Sequence, residues 1–263
     1  MSYNPHIESA IQNGYDFKIG DYFGKGLDIF KKNPGGYLGY LVVYILILTV
    51  IDFLPSYASF FINIIVGPSL ICGFAIAAYK QEKFGSEEFG NFFRGFDFIA
   101  QLLVANIITY FIYLALLIPL ILIVDFSVIF RLFLGFGDYN EIAELLEEFS
   151  KMGLIIFIIG ILFIYINISL RWTNYLIVFH KYDAVEAIKT SWKLVNKNWF
   201  MHFVFLLLFL LAMFAGMIAL IIGILFVIPI VAIADYAGFA DITGLNKKDD
   251  IIDEIGSFKD ELV

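Results

Sequence analysis

The feature that most restricts this fold is where its charges are missing. Residues 33–51, 53–79, 98–124 and 152–170 contain no Asp, Glu, Lys or Arg, and residues 198–234 form a fifth and longer charge-free run. A helix needs about 20 apolar residues to cross roughly 30 Å of hydrocarbon, so each of the first four runs is expected to form one transmembrane helix. The fifth is too long for one ordinary span and is read as a hairpin of two, with Gly216 and Gly223 as places to turn. Two spans and a turn need more than that run supplies, so the last helix is expected to continue through Asp235 toward Phe239. Asp235 then lies below the membrane surface. The fold class expected is all-α: a polytopic membrane bundle of six transmembrane helices. A chain that is 61% hydrophobic and 16% charged leaves too little polar surface for a water-soluble domain of this length.

The remaining charges indicate orientation. Of the seventeen Lys and Arg, all but Arg131 and Lys151 fall before the first span, after the second, at or after the end of the fourth, or in the C-terminal tail. Basic residues accumulate on the cytoplasmic side, so both termini are expected there, in a cytoplasmic (inner) membrane. Residues 1–244 then form a single membrane domain with an extracytoplasmic insertion at 125–151, and residues 245–263 a polar cytoplasmic tail. The first 17 residues include Glu8 and Asp16 and have no apolar h-region, so they are not read as a cleavable signal peptide.

Each cytoplasmic segment before a hairpin has apolar residues at helical spacing: Phe23, Leu27 and Phe30; Phe89, Phe93 and Phe96; Ile188, Trp192 and Val195. With charged residues on the other face, these are candidate amphipathic helices at the headgroup boundary. Asp183 and Glu186 have the spacing of a capping box in the third. The chain thus reads as three units, each an interfacial helix followed by a transmembrane hairpin, with 125–151 as an insertion in the second. Within it, Ile142, Leu145, Leu146 and Phe149 point to a surface helix whose acidic residues form its solvated face.

Charge inside a bilayer is costly, which makes Arg171 and Asp235 the candidate intramembrane polar pair, joined across helices. Asn106, Asn167 and Asn174 are further intramembrane polar candidates, either lining a path or bonding helices together. No catalytic, cofactor-binding or metal-ligating residues are assigned and no cofactor is expected. The three histidines form no HxxxH or HExxH arrangement, and the single cysteine, Cys72, cannot form an intrachain disulfide. A net charge of -8 argues against nucleic acid. The partners expected are membrane lipids, with another membrane protein as the further candidate.

The segment Arg171 to Phe200 resembles a recurrent segment of bacterial six-helix membrane families of largely unknown function. The named relative is the membrane domain joined to some glycerophosphoryl diester phosphodiesterases. The resemblance rests on Glu186, Ala187, Ser191, Trp192, Leu194, Asn198 and Trp199, and on the opening run IGDYFGKGLDIFKKN as a first interfacial helix. It implies the six-helix fold. It does not imply the esterase activity, because only a short polar tail follows Gly244. The function expected is that of a non-enzymatic scaffold, partner or membrane-homeostasis factor. The alternatives are a transporter or channel using Arg171 and Asp235, and a membrane-embedded lipid enzyme built on His180, Glu186 and Ser191.

Overall fold

The computed structural model describes residues 4–85, 88–121, 130–131, 133–135, 139–218 and 222–245. Among them there is no strand, and six helical stretches are long and apolar enough to cross a membrane: Pro34–Asp52, Ser56–Phe84, Phe89–Leu120, Gly153–His180, Trp199–Ile218 and Gly223–Thr243. The elements in chain order are α1 (Pro5–Asn13), α2 (Ile19–Lys32), α3 (Pro34–Asp52), α4 (Ser56–Phe84), a 3-10 segment (Phe89–Phe98) and α5 (Ile99–Ile121). Then come α6 (Tyr139–Lys151), inside the insertion, and after it α7 (Gly153–Ser169), α8 (Thr173–His180), α9 (Ala184–Asn196), α10 (Trp199–Ile218) and α11 (Ile222–Thr243).

Helix ends follow local chemistry. Asn33 caps α3 by accepting from the Gly36 N–H at 2.9 Å, with Pro34 in the first turn where its missing N–H costs nothing. Helix α4 stops at Gly85, which takes a left-handed φ of 72°. The Asp183 carboxylate accepts from the Glu186 N–H at 2.9 Å, which forms one arm of the capping box at α9. Helix α1 lies at the start of the described chain. Its cap, Asn4, donates to the Thr243 carbonyl at 3.4 Å, so both ends of the described chain meet at one end of the bundle.

The three short elements before the hairpins occupy equivalent places. Gly26 of α2 lies so close to α11 that a Cβ would strike the Ile230 carbonyl, and Gly95 of the 3-10 segment is pressed in the same way on the Ser69 carbonyl of α4. In the third copy the Ser191 hydroxyl donates to the Ser169 carbonyl of α7 at 3.0 Å. Each element therefore lies on the span that precedes it. The first closes the ring by lying on the last span of the chain.

This packing differs from the faces expected. On α2 the buried residues are Tyr22, Gly26, Ile29 and Phe30, while Phe23 is half-buried, stacked on Phe205 at 5.1 Å, and Leu27 is exposed. The second element is a 3-10 helix, in which positions three apart align, so Phe92 and Gly95 face the bundle. Phe89 stays exposed, and Phe93 and Phe96 are half-buried beside it. On α9 Val195 is buried, Ile188 half-buried and Trp192 exposed. Small residues allow the close contact, and the large apolar residues flank it.

One further expectation is corrected. Gly216 and Gly223 do not form the turn; each lies within a helix, and they touch backbone to backbone where α10 crosses α11. The fourth span runs on past its charge-free run to His180. It turns at 170–172 and resumes as α8, so Arg171 sits at an internal break. In the insertion, α6 leaves Tyr139, Ile142 and Leu146 exposed; the expectations for Leu145 and Phe149, and for the tail beyond Leu245, fall outside the described side chains.

Candidate functional site

The break in the fourth span places Arg171 against α11, where its guanidinium donates to the Asp235 carboxylate at 2.6 Å. The same Oδ1 accepts the Trp172 indole N–H at 2.9 Å. The two side chains are only 15% and 20% exposed, so their charges are shielded from water and compensated by each other. The Arg171 guanidinium also lies 4.5 Å from the centre of the Phe205 ring, a cation–π contact.

A chain of hydrogen bonds leads from this pair toward the α1 end. The second arm of Arg171 reaches His202 Nδ1 at 3.4 Å, and His202 Nε2 lies 2.8 Å from the Tyr15 hydroxyl. An arginine can only donate, so Nδ1 accepts and the ring proton sits on Nε2. Nε2–H then donates to Tyr15, whose hydroxyl donates to the Leu194 carbonyl at 3.0 Å. Burial pushes the Tyr15 phenol well above its ordinary value, which keeps it protonated for this role. Phe17 covers the histidine at 4.3 Å and the fully buried Trp172 packs edge-on to it at 4.6 Å, with the buried Phe239 against Trp172 at 5.7 Å. The network is closed by aromatic rings on that side.

On the other side of the ion pair is a cavity of about 250 Å³. Ile71, Phe209, Ile228 and Val231 form its apolar walls, Asn167 adds an amide, and Arg171 and Asp235 lie at the end nearer α1. A groove of about 590 Å³ between α4 and α5 is larger but almost wholly apolar, and nothing there would orient a polar ligand. The cavity at Arg171 is the better candidate because one charged pair meets apolar walls.

The asparagines do separate jobs. Pro68, inside α4, has no N–H to give the Ile64 carbonyl, and Asn106 Nδ2 donates to that carbonyl at 3.0 Å instead. Asn106 is thus a helix-to-helix patch on a proline defect. Asn167 donates to the Tyr113 hydroxyl at 3.0 Å, tying α7 to α5 beside the cavity. Asn174 is half-buried on α8 and does not join the cluster around Arg171. The residues that sequence reasoning missed are Trp172, His202 and Tyr15. Trp172 is adjacent to Arg171 in the chain, but Tyr15 and His202 are brought in from distant segments.

Two of the groups named for a lipid enzyme, Ser191 and His180, are engaged elsewhere. The Ser191 proton goes to the Ser169 carbonyl, and His180 Nδ1 is 3.2 Å from Asn4 Nδ2. Among the described residues no three of His, Cys, Asp and Glu come together in a way that could hold a metal ion. Cys72 is fully buried. No family model matches the chain, and no curated protein or solved structure matches it.

Proposed function

We propose that this chain is a non-enzymatic, multi-pass protein of the cytoplasmic membrane, with both termini in the cytoplasm, that acts as a scaffold or membrane-homeostasis factor. Its contacts in this reading are with lipids and with another membrane protein. The observation that carries the reading is that Arg171 and Asp235 neutralise each other at 2.6 Å behind a plug of buried aromatic rings. A permeating ion would need a polar path toward the cytoplasm, and the plug occupies that route. The charge distribution favours this orientation, since fifteen of the seventeen basic residues belong to the segments read as cytoplasmic or to the adjoining end of the fourth span.

A transporter is the second reading, and one observation favours it: the fourth span is discontinuous at the cavity, as spans at substrate sites of carriers often are. A flux assay separates the two. Proteoliposomes holding the full chain are expected to move protons, potassium, chloride and lipid analogues no faster than empty vesicles. Flux that appears with the wild-type chain and disappears in the Arg171→Gln, Asp235→Asn double variant would replace the scaffold reading with transport.

A further inference from the structure

A second polar cavity, of about 220 Å³, lies where α4, the 3-10 segment and the end of α8 converge. Lys80, Arg94, Asp97 and Lys181 supply its charged groups, above an apolar floor that includes Ile76 and Val178. Three basic residues and one carboxylate thus share the lining. Asp97 accepts from Arg94 Nε at 3.2 Å, which leaves the outer face of the guanidinium fork for a second partner.

Lys181 is the most informative of the three. It adopts φ 59° and ψ 31°, and among the described residues it is the one non-glycine with a positive φ. This is the helix-terminating position where glycine or asparagine is usual, so a lysine there carries a conformational cost that glycine would avoid. Its side chain folds back over the cavity wall. Nζ donates to the Val178 carbonyl at 2.7 Å and lies 3.8 Å from the centre of the Phe98 ring. Burial holds this ammonium below its ordinary lysine value, Asp97 opposes that, and Arg94 adds to it. No carboxylate among the described residues lies within ion-pair distance of it. A strained cation with no carboxylate in direct contact is suited to an anion from outside the chain.

The depth of the cavity narrows the chemistry. Lys80 directly follows the charge-free run 53–79, Phe98 begins the run 98–124, and Lys181 directly follows the fourth span. All three lie at the hydrocarbon boundary, where phosphate groups of lipids reside. We propose that this pocket binds a phosphate group, presented either by an anionic phospholipid headgroup or by free phosphate, through Lys80, Arg94 and Lys181. The guanidinium fork matches two phosphate oxygens, the ammonium groups supply the remaining charge, and the apolar floor accepts the adjoining part of a lipid. This site is independent of the ion pair at Arg171 and does not rest on the proposed function.

The test is native mass spectrometry of the full chain released from micelles containing equal amounts of phosphatidylcholine and phosphatidylglycerol. A companion arm measures thermal unfolding with inorganic phosphate and no phosphatidylglycerol. The wild-type chain is expected to retain phosphatidylglycerol preferentially or to be stabilised by phosphate, and removing each cation should lower that binding about fivefold. Lys181→Gly is the decisive variant, because it relieves the left-handed backbone while deleting the cation, so lost binding is separated from lost folding. Asp97→Asn should tighten binding. Retention that survives excess phosphate assigns the site to lipid, whereas phosphate stabilisation without lipid preference assigns it to the free anion. Equal retention of both lipids with no stabilisation by phosphate would overturn the proposal, as would unchanged binding in the Lys181→Gly, Arg94→Gln double variant.

Discussion

Replacing Arg171 by Gln leaves the Asp235 carboxyl group at 20% exposure with the Trp172 indole as its remaining strong donor. Replacing Asp235 by Asn leaves the guanidinium with His202 and the Phe205 ring but no counter-charge. Breaking a buried pair from one side costs about 3–5 kcal/mol, and the residual donors and partial exposure place each single variant near ~3 kcal/mol. The double variant removes both charges and keeps a donor and an acceptor of similar shape. Its loss should also be about 3 kcal/mol, not the ~6 kcal/mol of two independent losses, giving a coupling near ~3 kcal/mol. Reversible unfolding of the four proteins in mixed micelles, followed by circular dichroism, measures the cycle. Cys72, fully buried in the folded chain, offers a second readout through thiol labelling on opening. Strict additivity would refute the claim that the two charges compensate each other.

Two other predictions concern the packing that holds this site. Asn106→Ala should cost about 1–2 kcal/mol by leaving the Ile64 carbonyl unpaired, and adding Pro68→Ala should recover part of it, because residue 68 regains an N–H for that carbonyl. Recovery of nothing would show that Asn106 has another role. Gly95→Ala should destabilise by about 1–3 kcal/mol, since its Cβ meets the Ser69 carbonyl, while Gly90→Ala, with open space around it, should be near neutral. Equal effects of the two, measured by thermal unfolding, would contradict the close approach of the 3-10 segment to α4.

The intramembrane pair was legible because lipid makes charge rare: within an apolar run an Arg and an Asp stand out, and cost alone argues that they meet. Its surroundings were not legible. Tyr15 and His202 are ordinary residues in their own segments, and only the docking of the chain before α2 beside α10 gives them a shared hydrogen bond. Asn106 was singled out for its polarity, yet its task depends on a carbonyl exposed by a proline 38 positions earlier in the chain. The cation pocket was hidden in the same way, since Lys80, Arg94 and Lys181 look like the usual basic ends of spans.

Hydrophobic length by itself determined the all-α class and the number of spans, because a bilayer permits a helix little choice of length and demands that every backbone group be satisfied within it. Periodicity also located the three short elements, but it did not determine how they pack. Tertiary structure decided that Gly26, Gly95 and Ser191, not the large apolar residues, make the closest contacts, and that α2 closes the ring on α11. The physical reason is that apolar bulk gains little between helices already surrounded by lipid, whereas backbone approach and directed hydrogen bonds do distinguish one arrangement from another. Those interactions depend on atoms far apart in the chain, and only the folded bundle brings them together.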